Sequence, residues 1–292
     1  MHCRSSAATD SIVTIAQTIA VAAALSQSVS AARAFDDAIY PDLKGQWHRA
    51  ITPAPRFDQS KPPARGQGAP LTAEYQAKFE ANLKDIAEGG QGDFPTYTCL
   101  VPGMPMMMTA YEPMEVIVLP EITHIRIDHV YDSHRRIFTD GRSWPDEQEP
   151  SFEGYSIGHW IDTDGDGRFD VLEVETRNFK GPRAYDNSGL ILHPDNQSVI
   201  KERISLDKAD RNILHDEITV IDHALTRPWS IVKKYRHDPS PRPIWHFNDC
   251  SENNHHVFIG NESYYVSGDG LLMPVKKGQS PPDLRYFKPA AK

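Results

Sequence analysis

The stretch Ser198-Val-Ile-Lys-Glu-Arg-Ile-Ser-Leu206 decides the fold class of this chain. An extended strand points alternate side chains to the same face, so Ile200, Ile204 and Leu206 share one apolar face. Glu202 falls on that same face. A period of two with one apolar face predicts a β-strand that buries one of its sides.

The same period of two recurs from about residue 114 onward. Val, Ile, Thr and aromatic residues are enriched in these segments, and turn signals such as Asp140-Gly141 and Asp269-Gly270 separate them. The candidate strands are Met114–Leu119, Thr123–Tyr131, Arg135–Thr139, Tyr155–Ile161, Val171–Asn178, Ser198–Leu206, Glu217–His223, Trp229–Tyr235 and Val257–Val266. Consecutive short strands predict an antiparallel barrel or sandwich. We expect a closed up-and-down barrel, because closure removes exposed strand edges.

One helix and an extended arm precede these strands. Thr72 is a suitable N-cap, apolar residues then recur at helical spacing, and Gly89-Gly90 provides a stop, so we predict a helix over 73–88. Residues 35–70 are rich in Pro, Gly and Gln, which is typical of an extended arm. Residues 71–292 are then expected to form a single mainly β barrel domain.

The first 34 residues have the pattern of a secretory signal peptide. Arg4 gives a weak basic start, Ile12–Leu25 is apolar, and Ala32-Arg33-Ala34 fits a cleavage site, with Val29-Ser30-Ala31 as an alternative. The alternatives are a retained membrane anchor or an amphipathic helix, but the apolar run is short and interrupted for a bilayer. We therefore predict a periplasmic or secreted protein without a transmembrane span in its mature form.

The cysteines predict one disulfide bond. Beyond the predicted leader the chain has two cysteines, Cys99 and Cys250, which in an oxidising compartment predict one disulfide, with two unpaired thiols as the alternative.

The formal net charge is −9 and there is no basic run. Nucleic acid and anionic lipid are therefore excluded as expected partners.

An acidic loop is the strongest chemical motif. Asp162-Thr-Asp-Gly-Asp-Gly-Arg-Phe-Asp170, followed by Glu173, matches a calcium loop with an acid at the ninth position and Glu at the twelfth. The expected ligands are Asp162, Asp164, Asp166, the Arg168 carbonyl, Asp170 and Glu173. Both flanks read as strands, so no EF-hand pair is expected, and Glu173 could point away from the ion. The alternative is a turn without metal.

Three ionisable residues are candidates for proton transfer. His159 and Glu202 each share one face of a candidate strand with apolar residues. Asp222 follows Ile218 and Val220 on the same face of the next candidate strand. A carboxyl group inside an apolar barrel has a raised pKa, and a histidine there exchanges protons near neutral pH, so both suit acid–base catalysis. For each residue the alternative is a structural hydrogen bond or a cross-strand ion pair.

Other motifs give less. The chain has no GxSxG, CxxC, HExxH or phosphate-binding glycine loop, so no organic cofactor is expected. The adjacent pair His255-His256 would face opposite sides of a strand, and His124 and His129 are likewise out of phase, so no transition-metal site is expected. A group of methionines is either core filling or the lining of an apolar cleft: Met104, Met106, Met107 and Met108.

Several segments resemble a broad group of uncharacterised exported bacterial proteins. They are Glu112-Pro-Met-Glu115, Arg135-Arg-Ile-Phe-Thr-Asp-Gly-Arg142, Gly154-Tyr-Ser-Ile-Gly-His-Trp160, Lys201-Glu-Arg-Ile204 and Pro228-Trp229. In that group the hairpin after the position of Trp160 is mostly shorter, so the acidic loop departs from the pattern. Gly45-Gln46-Trp47 is similar to the G-x-W start of calycins, the lipocalin-like barrels. That resemblance implies an up-and-down barrel with a ligand cavity.

Two functions follow as hypotheses. The first is an internal pocket for a small, partly apolar organic molecule, with acid–base lyase, isomerase or hydrolase chemistry if the protein is an enzyme. The second is a non-catalytic binding or interaction module that calcium stabilises. The sequence leaves the ligand and the oligomeric state open.

Overall fold

A closed barrel of nine strands is the main element of the computed structural model. The structure describes residues 36–50, 56–90, 92–129, 131–245, 250, 256–259, 262–267 and 269–282. The barrel strands are β1 (Gln46–Arg49), β2 (Met114–Val118), β3 (Ile122–His129), β4 (Tyr131–Phe138), β5 (Tyr155–Ile161), β6 (Val171–Arg177), β7 (Val199–Leu206), β8 (Ile213–Ile221) and β9 (Trp229–His237). Each strand pairs with the next, and β1 pairs with β9, so the prediction of a closed, mainly β barrel is confirmed. The predicted signal peptide lies outside the described residues.

One step around the barrel breaks the up-and-down pattern. All neighbouring strands pair antiparallel except β4 and β5, where Ile137 and Phe138 lie parallel to Ser156 and Ile157. A parallel pair requires a connection long enough to return the chain to its starting end. Residues 139–154 supply that connection. The barrel is therefore mixed rather than wholly antiparallel.

The predicted arm contributes to the barrel. β1 comes from within residues 35–70, and its Trp47 is almost wholly buried, with its indole N–H donating to the Leu43 carbonyl at 3.0 Å. Phe57 is also buried in the core. The extended arm is thus an integral part of the barrel wall and of its core, because β1 is the strand that closes the circle.

The predicted helix is confirmed as α1 (Ala73–Ala87). The Thr72 hydroxyl accepts a hydrogen bond from the Tyr75 amide at 3.4 Å and so caps the helix. Tyr75 and Phe79 are buried on one face. This face provides the apolar contact that holds a short helix in place.

A second, smaller sheet follows the barrel. Strands β10 (His256–Ile259), β11 (Glu262–Val266) and β12 (Leu272–Pro274) form a three-stranded antiparallel sheet. The predicted strand Val257–Val266 is therefore two strands of a separate sheet. The predicted disulfide is present, and it joins Cys99 to Cys250 with their Cα atoms 5.5 Å apart.

Alternation places the core inside the barrel. The inward side chains of β7 and β8 include Ile200, Ile204, Ile218 and Val220, all buried. The methionines Met104, Met106, Met107 and Met108 are buried as well and serve as core filling rather than as an open cleft. Within the described ranges, no helix has the length and apolar character needed to cross a bilayer.

Candidate functional site

Charged side chains lie on the inward face of the barrel among the apolar core. Arg135 on β4, Glu202 on β7, Asp216 on β8 and Lys233 on β9 are each at most 2% exposed. The same alternation that buries their apolar neighbours turns them inward. We call the following residues the interior polar cluster: Arg135, Ser156, Thr176, Glu202, Asp216, Lys233 and Tyr235.

Arg135 and Glu202 form a fully buried ion pair. Arg135 Nη1 donates to Glu202 Oε1 at 2.8 Å, and Nη2 contacts the second carboxylate oxygen. The remaining guanidinium donors reach Thr176 Oγ1 at 2.8 Å and Ser156 Oγ at 3.1 Å. Such a two-pronged pair is strong and geometrically specific. It ties four consecutive strands, β4 to β7, together through side chains.

The Asp216 carboxyl group lies beside this pair. It is wholly buried, and neither carboxylate oxygen makes a hydrogen bond within the part of the chain that the structure describes. Burial raises the pKa of Asp216 well above its usual range, and the negative charge of Glu202 raises it further. Lys233 and Arg135 oppose these effects. Asp216 is therefore held toward the neutral carboxylic acid.

Lys233 is the direct cross-strand neighbour of Asp216. Its ammonium donates to the Phe57 carbonyl at 2.6 Å and to the Arg56 carbonyl at 3.3 Å. Burial lowers the pKa of Lys233 to about 8, although Asp216 and Asp186 act in the opposite direction. Environments that push an acid and a base toward their neutral forms are typical of proton-transfer sites.

Glu202 lies inside the barrel as the sequence predicted, but His159 does not. The His159 side chain is 68% exposed and faces outward, where its Nε2 lies 3.2 Å from Glu173. Ser156 and Gly158 take the inward positions of β5, and a Cβ at Gly158 would come within 2.8 Å of Ile137. The expectation that the apolar side of β5 faces inward is therefore wrong, because the interior has room there only for small residues.

Asp222 lies beyond the end of β8 and outside the interior polar cluster. Its Oδ1 accepts hydrogen bonds from the backbone amides of His193 at 3.0 Å and Ala224 at 2.9 Å. Its Oδ2 accepts from the Ser198 hydroxyl. Asp222 thus joins two chain segments at one end of the barrel, which agrees with the structural alternative that the sequence left open.

Asp216 and Lys233 are not among the candidate site residues that the sequence predicts. Lys233 alternates with Ile231 and Tyr235 inside the predicted strand Trp229–Tyr235, so its inward position was readable. Asp216 was lost because the predicted strand began at Glu217, whereas β8 begins at Ile213. Extending the strand backward would have placed Asp216 on the face of Ile218.

The acidic loop brings part of its predicted ligand set together. One carboxylate oxygen from each of Asp162, Asp164 and Asp166 lies within 4.8 Å of the others. The Asp162 carboxylate accepts hydrogen bonds from the backbone amides of Gly165 at 2.7 Å and Gly167 at 2.8 Å.

Two other predicted calcium ligands are engaged elsewhere. Asp170 accepts from the Thr163 amide at 3.0 Å. Glu173 lies on β6, where it pairs with Arg203 and His159 on the outer face of the barrel. Glu173 is thus not among the grouped carboxylates Asp162, Asp164 and Asp166, which agrees with the alternative that it points away from the ion. For Arg168 the structure gives an amide hydrogen bond to Asp166 at 2.8 Å, which concerns its backbone nitrogen and not its carbonyl.

An open groove of about 730 Å³ follows the outer face of β5 to β9. Glu173 pairs there with Arg203, and Glu175 lies 3.5 Å from Lys201. Exposed pairs of this kind contribute little energy and leave their charges satisfied. The chemically distinctive groups therefore lie inside the barrel rather than in the groove.

Comparison of the chain with family models, with curated proteins and with solved structures finds no match.

The buried ion pair gives a stability prediction. Arg135→Met should cost about 3–5 kcal/mol of unfolding free energy, because it leaves Glu202 charged and buried without a partner. The double variant Arg135→Met/Glu202→Leu should recover most of that loss, since neither charge is then desolvated. Urea unfolding of the wild type, both single variants and the double variant measures the coupling. A double variant that loses as much as the two single variants together would contradict a coupled pair.

The raised pKa of Asp216 gives a pH prediction. The folded chain holds a proton on Asp216 at pH values where the unfolded chain, with a pKa near 3.8, has released it. The unfolding free energy therefore falls as pH rises from about 4 toward the raised pKa. Asp216→Asn should flatten this part of the profile, whereas Glu217→Gln on the outer face of the same strand should change it far less, because the Glu217 charge makes only the smallest contribution to the raised pKa. Equal profiles for the wild type and Asp216→Asn would refute the assignment.

Proposed function

We propose that the chain is an exported barrel protein that binds a small, partly apolar organic molecule at the interior polar cluster. The observation that carries the proposal is Asp216, a wholly buried carboxyl group with no hydrogen-bond partner in the described residues. A buried polar group left unpaired costs about 1–3 kcal/mol. Such a group in a folded protein calls for a ligand, an ion or an ordered water.

The surroundings of Asp216 define the chemistry of the ligand. Ile204 faces Asp216 across the strand pair, and Ile218 follows it on the same face, so apolar side chains flank the carboxyl group on two sides. The neutral carboxyl group both donates and accepts a hydrogen bond. A hydroxyl, carbonyl or neutral amine on an otherwise apolar molecule matches that environment.

Asp216 and Lys233 together support acid–base chemistry. A neutral carboxylic acid can donate a proton, and a lysine whose pKa is lowered to about 8 can accept one close to neutral pH. The two residues lie opposite each other on β8 and β9. If the ligand reacts, the reaction is a lyase, isomerase or hydrolase step of the kind that requires no organic cofactor. The proton-transfer roles predicted for His159 and Asp222 pass to this pair.

Two features support export and a calycin-like architecture. The Cys99–Cys250 disulfide fits an oxidising compartment. The closed barrel and the buried Trp47 of Gly45-Gln46-Trp47 favour the calycin resemblance. Nine strands and the parallel β4–β5 pair depart from the eight-stranded up-and-down pattern of lipocalins.

Native mass spectrometry of the protein purified from its own host tests the proposal. Because the cluster is buried, a bound molecule should dissociate slowly and survive purification as a defined mass increment. Asp216→Asn should reduce the occupied fraction several-fold, and the neighbouring outward variant Glu217→Gln should not. A wild-type protein that carries no increment, and gains none from a lipophilic extract of the host, would overturn the proposal.

A calcium-stabilised, non-catalytic module is the competing function. The convergence of Asp162, Asp164 and Asp166 favours it, because calcium offsets the mutual repulsion of carboxylates. Thermal unfolding in calcium and in a calcium chelator distinguishes the two. If calcium stabilises the fold, the midpoint rises with calcium in the wild type and not in Asp164→Asn. An equal midpoint in both solutions would dismiss the ion.

A further inference from the structure

Two histidines and an aspartate converge at the end of the barrel near Asp222. His193 and Asp195 precede β7, and His223 follows β8. His193 Nδ1 lies 3.0 Å from Asp195 Oδ1, and His223 Nδ1 lies 2.6 Å from Asp195 Oδ2. One potential ligand atom from each residue lies within 4.8 Å of the other two. We call His193, Asp195 and His223 the histidine cluster.

We propose that the histidine cluster binds a divalent transition-metal ion of the Zn²⁺ class. Imidazole nitrogen and carboxylate oxygen are both donors that zinc accepts. Bonds of about 2.0–2.1 Å in a tetrahedral site place neighbouring donor atoms about 3.3 Å apart. The two histidine–aspartate separations, 3.0 Å and 2.6 Å, lie near that value, and the donor atoms of the two histidines lie within 4.8 Å of each other. The calcium loop, which has oxygen donors alone, offers a different chemistry.

The supporting structure is already rigid. The Asp222 carboxylate accepts the amides of both His193 and Ala224, so it fixes the backbone beside each histidine. The Tyr75 ring of α1 packs against His193, with ring centroids 5.5 Å apart. Three parts of the chain therefore hold the cluster in place. Preorganised ligands of this kind bind metal more tightly because less freedom is lost on binding.

The cluster is also open to solvent. The side chains of His193 and Asp195 are about one-third exposed, and that of His223 is 68% exposed. An ion can therefore reach the site without unfolding of the barrel. Three protein ligands leave at least one coordination position for water or another small ligand, as in zinc sites that perform chemistry.

The metal-free alternative is a carboxylate that two imidazoles share by hydrogen bonding. Both Nδ1 atoms lie close enough to Asp195 for that arrangement. The Asp195 backbone amide also donates to His193 Nδ1 at 3.2 Å, and a metal bound through that nitrogen would displace this hydrogen bond. The alternatives differ in one measurable respect. A hydrogen-bonded triad has no affinity for Zn²⁺ beyond that of any exposed histidine.

This inference is independent of the interior polar cluster. The histidine cluster lies on loops outside the strands, and neither Asp216 nor Lys233 belongs to it. Failure of the metal test would leave the ligand proposal untouched, and failure of the ligand test would leave the metal site untouched.

Isothermal titration of the full chain, purified without a histidine tag, with Zn²⁺ tests the proposal. We expect one ion per chain in the wild type. His223→Ala should weaken binding at least about 100-fold, since even the loss of a group that only supports a ligand costs about 10–100-fold. Asp195→Asn provides a second variant that preserves the side-chain shape. The cobalt-substituted wild type should show visible ligand-field absorption that both variants lose.

His159→Ala is the matched control. Like His223, His159 is 68% exposed and pairs with a carboxylate, but it lies outside the cluster, so its variant should bind Zn²⁺ as tightly as the wild type. Thermal unfolding without metal verifies that each variant folds. Wild-type affinity no greater than that of His223→Ala and Asp195→Asn, or an equal loss in His159→Ala, would overturn the proposal.

Discussion

The pairing of β1 with β9 closes the barrel, and the rest of the structure depends on that closure. Only a short register joins the two strands, from Trp47 opposite His237 to Arg49 opposite Tyr235. Without it the sheet would have two open edges, and its inward face would be accessible to water. With it, inward side chains such as Glu202 and Asp216 are almost wholly buried. Because of this enclosure, the free energy of a charged side chain on that face depends on the partners it finds inside the barrel.

The charged residues inside the barrel differ in how fully hydrogen bonds and opposite charges compensate them. Arg135 and Glu202 compensate each other, and two hydroxyl groups complete their hydrogen bonds. Asp216 forms no hydrogen bond within the described residues, and the Lys233 ammonium donates to main-chain carbonyls at Arg56 and Phe57. A low-dielectric interior makes paired charges strong and unpaired charges costly. The Arg135–Glu202 pair is therefore a structural element, whereas Asp216 is a group whose protonation state can change.

The end of the barrel follows a different principle. Loops there are exposed, so their polar groups can be shared with solvent or with an ion at little cost. Asp222 provides the rigidity that loops otherwise lack, by binding backbone amides from two segments. Carboxyl groups that look alike in sequence therefore differ in chemistry according to their position in the fold. Asp216 is held toward its neutral form, Asp222 binds backbone amides, and Asp195 pairs with two histidines.

The sequence by itself determined the β class, the position of α1, which two cysteines were available for a disulfide, and the inward placement of Glu202. These follow from local periods, capping residues and cysteine count, which need no knowledge of distant contacts. Only the tertiary structure decided the strand drawn from the Pro-rich arm, the parallel step at β5, and the outward position of His159. It also decided the meeting of His193 with His223. A period of two shows which residues share a face, but which face is enclosed depends on the neighbouring strands and on the space between them, as the small inward residues of β5 show.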